Sequence, residues 1–363
     1  MRHLIHILLR AANLALALAL GLSCLSAYVS PEQLWWLPFF GLAFAPLLVA
    51  NIAFIGLWLF FRKWKDALLA FAVVLLCNSY TLTLVRLPFG KKEEVKTEQP
   101  QLKLLSYNVN MLGTKRDSTS HAKIADFVAR EKFDLICLQE FGVRRGAQTE
   151  QQFAEKLARL PHRYVHYNVQ RTSHNFGLAT FSRYPIVGKG SISFANTANA
   201  ATFTDIVFPF DTVRVYNLHF QSNRFSGRER DLLTDETFLL NNKTDKRRVL
   251  KGISGKLKTA FAQRARQVNE VAEHMRRSPY AVVVCGDFND TPVSYTYRSI
   301  RGKLRDGFME AGRGIMSTYV SVIPSFRIDY ILYNARFCAT AYYCPNVRYS
   351  DHYPLVCRLA LRK

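Results

Sequence analysis

The first 85 residues contain three apolar stretches, Ala11–Pro31, Gln33–Phe61 and Ala67–Val85, with no formal charge in any of them. They run 21, 29 and 19 residues. A bilayer core about 30 Å thick is crossed by roughly 20 helical residues. Backbone polar groups in lipid must be satisfied within the segment, so each stretch predicts a spanning helix. Buried helices of a soluble core are the alternative, but soluble helices usually keep a polar face, which these lack. Trp35, Trp36, Trp58 and Trp64 fall near the ends of the second stretch, where such rings favour a headgroup region. The first stretch also fits a cleavable signal peptide: Arg2 and Arg10 precede Leu14–Leu22, and Ser26–Ala27 supply small residues.

Beyond residue 101 the pattern changes to short β-rich runs alternating with helical periodicity. Strands are expected over Leu102–Val109, Phe133–Glu140, Tyr164–Asn168, Gly177–Ser182, Ile186–Phe194, Phe203–Phe208, Thr212–Phe220, Ala281–Asp287, Ile328–Tyr333 and Leu355–Leu361. Helices are expected around Ile124–Arg130 and Gln151–Leu160. Another follows from Ile253, Leu257, Phe261, Ala265, Val268, Val271, Ala272 and Met275, which recur at helical spacing. No internal repeat is present. This is a mixed α/β layered body. The chain divides into an anchor over 1–90, a linker over 91–101 and a body over 102–363.

Charge sharpens that division. Residues 1–90 hold 6 of the 49 Lys+Arg and 2 of the 27 Asp+Glu, which leaves the remainder at a net +18. Arg62, Lys63 and Lys65 form the densest short basic loop, which predicts a cytoplasmic position for it and an extracytoplasmic one for the body. Lys243–Arg266 carries nine basic residues and one acid. It reads either as the outer face of a core-packed helix or as a surface that meets phosphates. Of the 7 Cys, Cys24 and Cys77 lie in apolar helices, and Cys137 and Cys285 lie inside strand runs, where packing is their role. Cys338, Cys344 and Cys357 would face an oxidising compartment, so a disulfide among them is open. No Cys/His spacing suggests zinc.

Candidate chemistry sits where strands end. Asn108 and Asn110 close one strand, Glu140 a second and Gly-Asp287-Phe-Asn289 a third. His219 ends Tyr-Asn217-Leu-His219. Arg327-Ile-Asp329-Tyr-Ile opens another strand, and Ser350-Asp351-His352 precedes the last. Acids beside apolar runs are costly to bury without a partner. A hard divalent cation held by carboxylates, amides and a substrate phosphate supplies one. Glu140 is the first candidate ligand, with Asp351 and Asn108 or Asn110 in support. Asp287 is placed to take a proton from water, and Asn289 to hold that water or a phosphate oxygen. Asp329 is placed to orient His352, and His219 to donate to phosphate. His121, His162 and His166 carry no motif; His174 is a weaker candidate for substrate contact. Thr291-Pro-Val-Ser-Tyr, just after the catalytic-type pair, reads as a substrate-side loop.

These motifs, in this order over about Leu102–Leu361, resemble the endonuclease/exonuclease/phosphatase superfamily, and the chain looks closest to its membrane-anchored bacterial members. The resemblance implies a four-layer α/β sandwich, two packed mixed sheets flanked by helices, here preceded by three transmembrane helices. It implies Glu140, Asn108 and Asp351 at a Mg²⁺ site (Mn²⁺ the alternative), and His219, Asp287, Asn289, Asp329 and His352 as catalytic residues. Asn110 stands where several DNA-repair members carry an acid, which weakens a DNA-repair reading. The expectation is a metal-dependent phosphoesterase tethered to a bacterial inner membrane with its catalytic domain outside the cytoplasm. It would hydrolyse a phosphodiester, of a phospholipid or of nucleic acid, by direct water attack. A phosphomonoesterase and a catalytically inactive membrane-anchored binding module are the alternatives. The lipid bilayer and the phosphoester substrate are the expected partners; no protein partner follows from the sequence.

Overall fold

The computed structural model describes residues 2–86, 101–113, 120–144, 150–172, 174–195, 197–223, 225, 229, 243–320 and 327–362. The first helix is α1, Arg2–Leu25. The second apolar stretch does not form one helix. It breaks at Ala43 into α2, Leu37–Leu42, and α3, Phe44–Phe60. At 17 residues α3 is about 26 Å long, short of a bilayer core. The third stretch bends by 62° at Cys77 between α4, Trp64–Leu76, and α5, Asn78–Leu84. Among the described residues one helix is long and apolar enough to cross a membrane, or two if the bent pair is one span, rather than the three expected. Trp58 also departs from expectation. It is fully buried and stacks on His6 at 6.4 Å between centroids, whereas Trp35, Trp36 and Trp64 are exposed.

The body is built from two six-stranded mixed sheets. β1 (Val85–Arg86) and its partner β11 (Gly314–Ile315) form a separate short ribbon. One sheet runs in the order β13 (Phe337–Tyr343), β14 (Leu355–Leu361), β2 (Gln101–Asn108), β3 (Leu135–Arg144), β5 (His174–Ser182) and β4 (His162–Gln170). The other runs β10 (Arg305–Asp306), β12 (Asp329–Tyr333), β9 (Ala281–Asp287), β8 (Thr212–His219), β7 (Ala200–Val207) and β6 (Ile186–Ser193). Each sheet has one parallel pair, β2–β3 and β8–β9. The central strands are continuous apolar runs because both of their faces are covered. Leu104, Leu135, Cys137, Val215, Val283, Cys285 and Ile331 fill the space between the sheets. On one outer face α6 (Ser120–Glu131) and α7 (Glu150–Lys156) bury Ile124, Phe127, Val128 and Phe153. On the other, α8 (Lys243–Arg276) buries Val268 and Val271, and α9 (Tyr295–Arg301) buries Tyr297 and Ile300. The short α10, Gly307–Ala311, seats Phe308 in the central core. Strand β13 was not anticipated; its mixed Cys-Ala-Thr-Ala run has weak β character.

The N-terminal helices pack onto this body. Val293, 1% exposed, sits in a cluster with Leu20, Phe44, Leu48 and Cys77. The Thr291–Tyr295 segment, expected to shape substrate access, therefore serves as a seat for the helices. Phe39 of α2 meets Phe261 of α8 edge-on at 5.5 Å, and Arg298 lies 3.6 Å over the ring of Tyr28. Cys24 and Cys77 are joined, with Cα atoms 6.4 Å apart. No disulfide joins Cys338, Cys344 and Cys357 to one another. The β13–β14 register places Cys338 opposite Ala360 and Cys357 opposite Tyr342, three positions along β14 and four along β13, roughly 10 Å or more and beyond disulfide reach.

A buried ion pair ties the layers together. Arg327 Nη2 lies 2.9 Å from Asp306 Oδ2, and the same Nη2 donates to Thr83 O at 3.1 Å. Both side chains are essentially sealed from water, at 2% and 0% exposure. Asp306→Ala leaves a buried guanidinium without its counter-charge. We expect a loss of about 3–5 kcal/mol in denaturant unfolding. A change under 1 kcal/mol would show that water reaches Arg327.

Candidate active site

Sheet register places the polar groups. His219 of β8 lies opposite Asp287 of β9, and Asp287 lies opposite Asp329 of β12, so one rung carries all three at the sheet's end. The facing sheet contributes Asn108, paired with Gln139. Glu140 follows Gln139 at an irregularity in the β3–β5 ladder between Leu138 and Phe141, with φ of +50°. A bulge re-aims a side chain in this way. Asn289 is also left-handed, at φ +53°. Such non-glycine geometry costs on the order of 1–3 kcal/mol and gathers at functional sites.

The groups converge around Asp287. Its Oδ2 accepts from Asn108 Nδ2 at 3.0 Å and Asn289 Nδ2 at 3.1 Å, and its Oδ1 accepts from the Asn289 backbone at 2.8 Å. His352 Nδ1 lies 2.9 Å from Asp329 Oδ2, and His352 Nε2 lies 3.7 Å from Asp287 Oδ2. His219 Nε2 is 3.7 Å from Glu140 Oε1 and 3.8 Å from Asp287 Oδ2. Those distances are too long for hydrogen bonds, and this buried nitrogen has no hydrogen-bond partner among the described residues. Asp351 joins the group through Ser350, whose Oγ meets Asp351 Oδ1 at 3.3 Å and donates to Asn108 O at 2.7 Å.

Two candidates take positions that modify their expected roles. Asn108 turns its amide nitrogen toward Asp287 and Glu140, the latter at 3.5 Å, while its Oδ1 accepts from the Asn110 backbone. It thus bridges carboxylates. Asn289 donates to Asp287 and, at 3.0 Å, to Phe220 O, and so fixes the carboxylate. Asn110 is a left-handed turn residue, at φ +42°. His121 is buried edge-on against Phe153. His174 lies within β5, stacked on Phe176.

Beneath the rim lies a support not foreseen as such. Gln139 Nε2 donates to Asn217 Oδ1 at 2.7 Å across the gap between the sheets, and Asn217 Nδ2 donates to Leu138 O and Ala179 O, each at 3.1 Å. Two amides inside otherwise apolar strands were the only signal of it. Thr318 Oγ1 accepts from the backbones of Ile328 and Asp329 at 3.0 and 3.1 Å. Nothing in the sequence around Thr318 marks it. Gly286 is required beside the site, because a Cβ there would run into the backbone of Leu218.

Electrostatics follow from burial. Burial and the neighbouring Asp329 push Asp287 up to about 6, against the opposing pull of His352 and His219. Burial lowers His352, but Asp329 and Asp287 outweigh it and hold the imidazole up to about 10. Burial keeps His219 below the ordinary histidine value despite Asp287. No Lys or Arg is ion-paired with Asp287 or Asp329 among the described residues. Ligand atoms of Asp287, Asp329 and His352 lie within 4.8 Å of one another. This oxygen-rich set, with Glu140 alongside and an orphaned imidazole nitrogen aimed at it, fits a hard divalent cation and an anionic ligand.

Asp329 supports the proton on His352, so Asp329→Asn should bring the ring's titration down from about 10 toward the ordinary histidine range near 6.5. A pH titration of histidine ring resonances in isotope-labelled protein reads this directly. An unmoved resonance would remove Asp329 as the partner that matters.

Comparison with known proteins bears on the fold and the family. Residues 105–352 match the model of the Endonuclease/Exonuclease/phosphatase family. Residues 6–84 match a separate domain of unknown function. No curated protein matches the chain. Among solved structures, an endonuclease/exonuclease/phosphatase from Beutenbergia cavernae is 17% identical, with a TM-score of 0.52 and 72% of each chain covered. The human Nocturnin catalytic domain, solved with a bound sulfate anion, is 16% identical with a TM-score of 0.51, covering 73% of this chain and 96% of its own. D. rerio TDP2, solved with a single-strand DNA product, is 13% identical with a TM-score of 0.50, covering 71% and 98%. These likenesses reflect the fold, and the motif-bearing span from Leu105 to His352 carries the family assignment. The chain belongs to the endonuclease/exonuclease/phosphatase family, whose members are typically hydrolases acting on phosphoester bonds.

Proposed function

We propose that this protein is a membrane-tethered, divalent-metal-dependent phosphoesterase that cleaves a phosphodiester by direct attack of water. The observation that carries the reading is the rung His219–Asp287–Asp329, closed from the other sheet by His352, Asn108 and Glu140. A binding surface has no need of a buried carboxylate beside an oriented imidazole. Glu140 would hold Mg²⁺ or Mn²⁺ with Asp351 as a further candidate ligand, Asn108 would orient Glu140 through its amide nitrogen, and the ion would offset charge on the bound phosphate. Asp287 is ionised at neutral pH and accepts the proton of the attacking water; Asn289 and Asn108 fix its orientation. As the bond from phosphorus to the leaving oxygen breaks, its electron pair stays on that oxygen. His352, protonated and aligned by Asp329, stabilises the growing negative charge. His219 Nε2 donates to a phosphate oxygen.

Tethering is supported by the outward display of Leu4, Leu8, Leu18, Phe60 and Leu76 on the N-terminal helices. The ends of these helices also differ in character. Arg10 pairs with Asp66 at 2.9 Å beside the basic Arg62–Lys65 turn, while Cys24–Cys77 lies toward the body. Positive residues inside and a disulfide outside describe one orientation, with the body extracytoplasmic at a bacterial inner membrane. Packing of the helices against the loop after Asp287 and Asn289 favours a phospholipid substrate. The net +18 beyond residue 90 favours the second reading, a nuclease.

Purified full-length protein should hydrolyse a simple phosphodiester with Mg²⁺ and stop when chelator is added. Asp287→Ala and His352→Ala should each lower turnover by about 10²–10⁴-fold. Undiminished turnover in both variants would refute the hydrolase. Phospholipid vesicles and DNA in the same panel separate the two substrate readings. A reporter fused after Lys363 should be active only outside the cytoplasm; a cytoplasmic signal would reverse the orientation.

A further inference from the structure

The long helix α8 has two unlike halves. Its C-terminal half packs Val268 and Val271 on the sheet. Its N-terminal half instead places Ile253, Leu257 and Phe261 against Phe39 and Leu42 of α2. The face that flanks this packed side is cationic. Arg247, Lys251 and Lys258 are exposed, and their spacing of four and seven residues keeps them within roughly 40° of one stripe. Lys258 lies 4.4 Å over the ring of Trp35, and Arg266 pairs with Glu32 at 2.6 Å. Trp35 and Trp36 are exposed, and they stand at the body-facing end of the N-terminal helices, where indole rings favour the headgroup layer. The stripe therefore begins at the level of that layer. Nothing in the catalytic geometry uses it.

We propose that the Arg247–Lys251–Lys258 stripe of α8 binds the anionic headgroups of the bilayer that holds α1. The proposal rests on the membrane-tethered reading above. Lys and Arg near an anionic surface gain from its potential, and the gain fades within a Debye length, about 8 Å in physiological salt. Lys258 on Trp35 sets the depth, the stripe supplies the charge, and the N-terminal helices remove most of the entropic cost of bringing the two together. The result is a second attachment that fixes the tilt of the body and so the angle at which the site rim meets the membrane.

The test uses the full chain in nanodiscs of phosphatidylcholine alone or mixed with phosphatidylglycerol, read by amide hydrogen exchange. Exchange over residues 247–258 should slow in the anionic discs and return to the neutral-disc rate in high salt. Arg247→Gln with Lys251→Gln spares the Lys258–Trp35 contact. This double variant should weaken the response roughly thirtyfold, at about fivefold per cation. The exchange of α1 reports separately on tethering. If α1 is unprotected in both discs, the tethered reading fails and the proposal falls with it. If α1 is protected and 247–258 exchange alike in both discs, tethering stands and the headgroup contact is refuted. Slowing by a single-stranded oligonucleotide in neutral discs, with no response to phosphatidylglycerol, would overturn the proposal in favour of a nucleic-acid surface.

Discussion

Asp287 is a carboxylate almost wholly removed from water, and much of the rim exists to make that tolerable. An isolated buried carboxylate is expensive. Here it accepts hydrogen bonds from Asn108 and from the side chain and backbone of Asn289, and it lies near two imidazoles. The compensation is partial by construction, because Asp329 stands on the adjacent strand and keeps Asp287 less acidic than an ordinary aspartate. The same neighbour holds the proton on His352. One carboxylate thereby raises the titration of two neighbours, Asp287 and His352, within a few ångströms.

The two-sheet architecture makes such crowding affordable. Each sheet brings strand ends to the same edge, and the Gln139–Asn217 amide bridge locks one sheet to the other just below it. The sheets' relative position matters because Glu140 comes from one and Asp287 from the other. The left-handed backbone at Glu140 and Asn289 is a local cost carried by the surrounding ladders.

The N-terminal helices belong to the same mechanical unit. Val293, four residues after Asn289, is enclosed by Leu20, Phe44 and Leu48, and Arg327, two residues before Asp329, donates to Thr83 O. Both loops of the candidate site are thus braced by the helices through buried contacts. A freely swinging tether would leave these groups exposed.

The sequence by itself determined the layered α/β class, most of the strands and which polar groups stand at strand ends. Each site group ends or opens an apolar run, and a polar residue at such a boundary is a local signal. It also supplied the order of motifs that identifies the family. Tertiary structure decided what depends on register and packing. Apolar length suggested three spans, yet the turn at Ala43, where Pro46 has no N–H to continue the helix, and the bend at Cys77, which packs beside Val293, break two of them. Cysteine proximity in sequence pointed to residues 338–357, whereas the ladder separates Cys338 from Cys357 and helix packing brings Cys24 to Cys77 across 53 residues. Asn108 and Asn289 carry the right chemistry at the right positions, but which of their atoms faces the carboxylates is a matter of angles fixed only when both sheets and their loops are in place.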